Sequence, residues 1–166
     1  MIKVVVGCVV TQDDRIALVQ EAKEHCRGKR NLSAGHLELG ESLLEGALRE
    51  AQEEIGLTAA SCRILGELNP YDTITGFRVF PIVAWVEPPV SFDPDPFEVA
   101  EVFEVPLDFV VDPTNHRRDS YRKGGVERSY WVLPYGERYI WGATAGMLVN
   151  LATLLRGEGE EISPRP

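Results

Sequence analysis

One glycine, four glutamates and an arginine stand in a fixed frame within residues 35–57: Gly35, then Glu41 after five residues, then after seven more the run Arg49-Glu50-Ala51-Gln52-Glu53-Glu54-Ile55-Gly56-Leu57. The middle of the frame reads as a helix. Ser42-Leu43-Leu44-Glu45 has the pattern in which a serine caps the amide three residues on and a glutamate reaches back, so the helix is expected to start there. Leu43, Ala47 and Ala51, with Leu44 and Leu48 widening the stripe, give an apolar face, and Gly56 is placed to end the helix in the left-handed conformation that glycine tolerates. On the other face Glu50, Glu53 and Glu54 are three and four residues apart and converge on a small patch.

Three like charges on one turn repel, and a hard divalent cation resolves the conflict. Mg²⁺ or Mn²⁺ takes carboxylate oxygens, keeps several waters and is usually shared with substrate phosphates. Arg49 lies four residues before Glu53 and four after Glu45, where a guanidinium can fix a carboxylate through paired hydrogen bonds. It joins the catalytic set as the group that orients the carboxylates. An acidic patch alone is more often a solvated helix face. Gly35, Glu41, Arg49 and Gly56, all in frame, favour the metal site over that reading.

Residues 35–57 resemble the signature box of the Nudix hydrolases, with every defining position filled. The resemblance implies an α/β fold, a Nudix α/β/α sandwich with a mixed β-sheet and a catalytic loop-helix-loop, that hydrolyses a nucleoside diphosphate linked to another group. It implies that Glu50, Glu53 and Glu54, with Gly35, hold Mg²⁺ or Mn²⁺, that Glu53 and Glu54 act in catalysis, and that Glu41 and Gly56 shape the motif. The box spans 23 of 166 residues and says little about the substrate. Some Nudix folds only bind nucleotides, but such modules commonly lose the acidic triad, which is intact here.

The rest of the chain fits one catalytic domain over residues 1–156, followed by a polar tail at 157–166 that is expected to be disordered. Acidic residues outnumber Lys and Arg by 26 to 17, a formal net charge of -9 without a long basic stripe, which disfavours long nucleic acid as a partner. Cys8, Cys26 and Cys62 are odd in number and lack metal-type spacing, so reduced thiols in a cytoplasmic protein are expected. The apolar run at 4–10 is too short to cross a bilayer, so no membrane partner is expected. The expected partner is a small nucleotide or nucleoside diphosphate derivative, with a homodimer as the candidate assembly.

Along the chain, strands are expected at 3–10 and 15–20 with a turn at Gln12-Asp13-Asp14, then a polar loop at 21–30. After the box come strands near 63–68 and over 77–86, a Pro-rich acidic loop at 88–96, a strand at 98–105 and a short helix at 106–111. Residues 112–126 read as a mobile loop, 129–133 as a strand, and 141–155 as an amphipathic helix packing Trp141, Ala145, Leu148 and Leu155.

Hydrolysis also needs an activated water, and a carboxylate outside the helix would take its proton. Glu98 and Glu101 are the candidates, because Nudix enzymes often place a metal ligand or base in this region; Glu104 is the weaker third. His36, next to the box glycine, and Arg30 are candidate substrate contacts; His116, beside Arg117 and Arg118, is another, although a solvated charge run is the simpler reading there.

The substrate signal is divided. The second half resembles the coenzyme A diphosphatase branch, through Leu65-Gly66-Glu67-Leu68, Pro70-Tyr71, Gly76-Phe77, the run from Glu101 to Leu107, and Tyr139-Ile140-Trp141-Gly142-Ala143-Thr144-Ala145. That branch's Phe-Pro-Gly-Gly element before the box is missing. The first third instead resembles enzymes acting on nucleoside di- and triphosphates, including oxidised guanine nucleotides, except that Arg30 stands where these usually have an aromatic residue and Ser33 and Leu39 where they have proline. The sequence is thus a mosaic of two branches. The expected activity is a divalent-metal-dependent pyrophosphohydrolase of nucleotides, with coenzyme A diphosphatase and a noncatalytic nucleotide-binding module as alternatives.

Overall fold

The computed structural model describes residues 3–22 and 30–158. The expectations for Cys26 and for the tail beyond residue 158 fall outside these residues, as does most of the loop at 21–30; the side chain of Cys8 is likewise outside them. The elements are β1 (Lys3–Gln12), β2 (Arg15–Glu21), β3 (Arg30–Asn31), β4 (Ser33–His36), α1 (Leu43–Ile55), β5 (Cys62–Glu67), β6 (Tyr71–Asp72), β7 (Phe77–Val86), β8 (Val99–Pro106), α2 (Leu107–Val111), β9 (Arg117–Lys123), β10 (Val126–Tyr135), β11 (Arg138–Trp141) and α3 (Gly142–Leu155).

A two-residue turn starts the main sheet. Gln12 pairs with Arg15, and Asp13 and Asp14 between them both take the left-handed conformation (φ 45° and 56°), which matches the twist of a tight hairpin. β1 then serves three partners: β2 and β4, both antiparallel, and β7, parallel along almost its whole length. With β3 and β8 beside β2, and β5 and β6 beside β7, this makes a mixed eight-stranded sheet.

Both faces of this sheet are covered, which explains why β2 reads as an unbroken apolar run rather than an alternating one. Ala17 and Val19 pack with Ala51 and Ile55 of α1, whereas Ile16 and Leu18 pack with Ala145, Leu148 and Ala152 of α3. α1 and α3 therefore form the outer layers of an α/β/α arrangement.

Three expectations are corrected. Residues 112–126 are not a loop: after a 3₁₀ turn at Pro113–Asn115, β9 pairs with β10 from Arg117↔Val132 to Lys123↔Val126, and β11 completes a second, antiparallel sheet. Polar composition hid the strand because cross-strand partners, not burial, hold it. α3 is not amphipathic either. Residues 144–152 are buried on all sides, while Trp141 and Leu155, expected in the core, are exposed. The buried stripe of α1 is Gly46, Ala47, Ala51 and Ile55, flanked by Glu50 and Glu54, and Leu44 points to solvent. Glu50 and Glu54 thus border the core instead of facing away from it, while Glu53 stays exposed.

Candidate active site

α1 begins and ends where its caps dictate. The Ser42 hydroxyl accepts from the Glu45 amide at 3.2 Å while the Glu45 carboxylate accepts from the Ser42 amide at 2.9 Å, and Gly56 closes the helix at φ 74°. Gly56 is doubly required, since a Cβ there would stand 2.9 Å from the Cβ of Asp93.

The helix presents its acids to a cleft of about 530 Å³ between β4, the end of β2 and the loop before β8. Glu50, Glu53, Glu54 and Glu98 line it, with Gly35, His36 and Glu21. Glu54 is 5% exposed and accepts from the Ala34 amide at 3.1 Å. Burial pushes its carboxyl up to about 7, against the pull of the Ser33 hydroxyl and the Ala34 amide and with the charges of Glu21 and Glu50 adding to the rise. Burial also raises Glu50, against the attraction of Arg49. The Glu53 side chain is 60% exposed.

Gly35 owes its identity to Glu50. A Cβ built on Gly35 would stand 2.1 Å from the Glu50 carboxylate, so the missing side chain makes the space this carboxylate occupies. Arg49 binds the arrangement together. Its Nε and Nη2 donate to Glu41 at 2.7 and 3.2 Å, its Nη1 to Glu50 and Glu53, both at 2.9 Å, and its Nη2 also to the His36 carbonyl at 3.0 Å. The paired contacts expected of Arg49 therefore go to Glu41, and Glu45 is occupied at the cap.

Glu98 and Glu101 part company. Between Gln20 and Glu21 the pairing of β2 with β8 skips one residue, Ala100, so Glu21 faces Val99. This bulge turns Val99 toward α1, while Glu101 falls on the side of Phe103 and forms an ion pair with Arg138, whose guanidinium lies 4.4 Å from the Phe103 ring. Glu101 is not in the cleft; Glu98 is. Glu104 accepts from Gln12 at 2.5 Å. The His36 ring packs edge-on against Phe77, and His116 against Trp131 with its Nε2 at 2.7 Å from the Val110 carbonyl.

A second chamber, of about 410 Å³, adjoins the cleft across a shared wall of Asn31, Thr73, Phe77, Ala143 and Thr144. Tyr71, Tyr121, Tyr130 and Trp141 give it aromatic walls, with Tyr130 5.4 Å from Trp141 and 6.0 Å from Tyr121. Arg30, Arg118 and Arg128 line it too, and the buried Nε of Arg30 has no partner among the described residues. Arg30, Tyr71, Arg118 and Trp141 stand out in the sequence for separate reasons, whereas Tyr121, Arg128 and Tyr130 reach the chamber only through the pairing of β9 with β10, which a loop at 112–126 does not anticipate.

A family model described as the NUDIX domain matches residues 1–123. The chain belongs to the Nudix family. Among the curated Nudix relatives, the uncharacterized hydrolase NudL of Citrobacter koseri is 40% identical over 112 residues, which is 67% of this chain and 58% of that protein. NudL of Pectobacterium atrosepticum is 38% identical over 126 residues, 75% of this chain and 62% of its own length. The Nudix chain thus spans about three fifths of the relatives it matches. A Nudix hydrolase of Nitrosomonas europaea superimposes with a TM-score of 0.56 at 28% identity, over 64% of this chain and 58% of that one. The Caenorhabditis elegans Ap4A hydrolase superimposes equally well, at 0.56, with 18% identity over 63% and 80% of the two chains, a likeness of fold.

Nudix hydrolases act with divalent metal ions on small nucleotide-linked compounds. The residues here fit such an ion: the donors are all hard carboxylate oxygens, two of them on groups that burial makes costly to ionise alone, and Gly35 leaves the gap in which one of them stands. In the arrangement seen, Arg49 and the Ala34 amide occupy these carboxylates, and among the described residues no three acidic, histidine or cysteine side chains converge on one point. No helix among the described residues is long and apolar enough to cross a membrane.

Proposed function

We propose that this Nudix domain is a Mg²⁺- or Mn²⁺-dependent pyrophosphohydrolase of small nucleoside diphosphate-linked compounds, with (deoxy)nucleoside triphosphates or related nucleotides as its substrates. One observation carries the reading: the carboxylate cleft shares a wall with a chamber of aromatic and guanidinium side chains. The cleft suits a cation and a diphosphate, and the chamber suits a nucleoside, whose base can stack on tyrosine and tryptophan.

A bound cation would supply charge that polarises the diphosphate and makes water more acidic. Glu50, Glu53 and Glu54 would hold it, and Arg49 keeps Glu50 and Glu53 oriented. Glu98 takes the proton of the attacking water as its oxygen bonds to phosphorus and the bridging P–O bond breaks. The proposed setting is the cytoplasm, in keeping with the free thiol of Cys62.

Coenzyme A is the second reading, favoured by Arg30, Arg118 and Arg128 in the chamber, since three guanidiniums there suit a phosphate beyond the scissile pair. A panel of nucleoside triphosphates, dinucleotides and coenzyme A with each metal, read by product mass, separates the two. Nucleotide hydrolysis at least equal to that of coenzyme A, with Mn²⁺ at least as good as Mg²⁺, supports the first reading. A strong preference for coenzyme A, giving 3′,5′-ADP and 4′-phosphopantetheine, selects the second. Tight binding without turnover of any compound would leave a nucleotide-binding module.

A further inference from the structure

β2 ends on a carboxylate that lies outside the frame at 35–57. Glu21 follows Ala17 and Val19 at alternate positions, which puts it on the α1 side of the sheet, and it lines the cleft with Glu50, Glu53, Glu54 and Glu98. Its main chain is tied to the same place, because the Ala22 amide donates to the Glu98 carbonyl at 2.8 Å.

The side chain is held as well. Asn31 Nδ2 donates to Glu21 Oε1 at 2.7 Å, and Thr144 Oγ1 donates to Asn31 Oδ1 at 3.2 Å. Only the amide NH₂ can face a carboxylate, so Glu21 fixes the orientation of Asn31, and the buried Thr144 receives the other end of the amide. Three elements, β2, β3 and α3, thus converge to place one acid. With Oε1 committed to Asn31, Oε2 adds negative charge to a cleft already lined by the carboxylates of Glu38, Glu50, Glu53, Glu54 and Glu98. A strand end needs no such charge there. A hydrated divalent cation does, since its waters donate to carboxylates around the directly bound ones.

We propose that Glu21 is a further carboxylate of the cation site, accepting hydrogen bonds from the hydrated ion, and that Asn31 is the residue that positions it. This rests on the metal-dependent reading above. Asn31 acts on the cation only through Glu21, although it also lines the substrate chamber.

The test is Mn²⁺ binding to the whole chain without substrate, followed by the paramagnetic resonance of free Mn²⁺ and by calorimetry. Glu21→Gln is expected to weaken Mn²⁺ binding roughly tenfold, the scale of lost outer-shell partners, and Asn31→Ala roughly threefold because the charge remains. The double variant Glu21→Gln/Asn31→Ala should bind no more weakly than Glu21→Gln alone. Should Glu21→Gln not fold, Glu21→Asp keeps the charge but withdraws it by one methylene, and an affinity between wild type and that of Asn31→Ala would support the proposal. Unchanged affinity in the Glu21 variant, or losses that add in the double variant, would overturn it. If the wild type takes up no Mn²⁺, the metal reading falls together with this proposal. If it binds Mn²⁺ and hydrolyses nothing, only the assigned reaction falls.

Discussion

Arg49 and Glu41 meet through two parallel hydrogen bonds, Nε to Oε1 at 2.7 Å and Nη2 to Oε2 at 3.2 Å, which join the second turn of α1 to the loop that precedes it. The same Glu41 carboxylate accepts from the Glu38 amide at 3.0 Å, and Arg49 in turn caps the His36 carbonyl. One guanidinium therefore fixes the loop and, through Nη1, the two neighbouring carboxylates. The pairing holds the Glu41 carboxyl below its ordinary range and keeps Arg49 firmly charged.

Lysine cannot reproduce this fork. Arg49→Lys should weaken Mn²⁺ binding and lower kcat together, each by roughly tenfold or more, on the scale seen when the partners of metal ligands are lost. Glu41→Gln should do the same more mildly, because it acts only through Arg49. Parallel metal titrations and steady-state kinetics check both; a normal titration with a pure rise in KM would assign Arg49 to the substrate instead.

Gly35→Ala tests the gap beside Glu50. The added methyl would stand 2.1 Å from the Glu50 carboxylate, which must move away, while the alanine meets no positive φ that would strain the strand. Turnover with Mg²⁺ should fall by roughly 10²-fold, the scale of a small misplacement at a reacting centre. Circular dichroism should show the fold unchanged. Full activity would mean that Glu50 does not need its present position.

Glu54 makes the stability of the metal-free chain depend on pH. Its carboxyl, normally near 4.5, is pushed up to about 7, so between these values the folded chain holds a proton that the unfolded chain has lost. Stability from this group is full below 4.5 and falls as pH rises to about 7. Glu54→Gln should remove that slope and raise Tm in chelator at pH 8 by roughly 5 °C, with little change at pH 4. Mn²⁺ affinity of the wild type should run the other way, increasing from pH 6 to 8 as the proton ceases to compete. Turnover of Glu53→Gln and of Glu54→Gln should be nearly abolished at every pH; undiminished activity of either would remove it from the ligand set.

Much of the cation site was legible in the sequence because it is local. Ser42, Glu45 and Gly56 set the ends of one helix, and the spacing of Glu50, Glu53 and Glu54 then fixes where their backbones stand. The cap that takes Glu45 is local too, but the pairing of Arg49 with Glu41, eight residues away, depends on how the preceding loop folds back on the helix. Glu21 left a faint signal, its alternation with Ala17 and Val19, which acquires meaning only once those residues are known to face α1. β9 left none, because Arg117-Arg118-Asp119-Ser120 has the composition of a loop and is a strand only by virtue of β10.

The bulge at Ala100 decides between the two acids of β8. Strict alternation would carry Val99 and Glu101 to the same face; the extra residue sends Val99 to the α1 side and leaves Glu101 beside Phe103, paired with Arg138. Glu98, one residue before Val99, ends in the cleft. Glu98→Gln should therefore lower kcat by roughly 10²-fold or more, the range for a lost general base, with a smaller change in KM. Glu101→Gln should leave kcat within about twofold and cost less than about 1 kcal/mol of stability, as expected when a partly exposed ion pair is broken. The two variants, compared in kcat and in urea midpoint, give opposite patterns if the bulge sets the assignment. A large kcat loss in Glu101→Gln beside a normal Glu98→Gln would show that β8 shifts its register when substrate binds, and would return the base to Glu101.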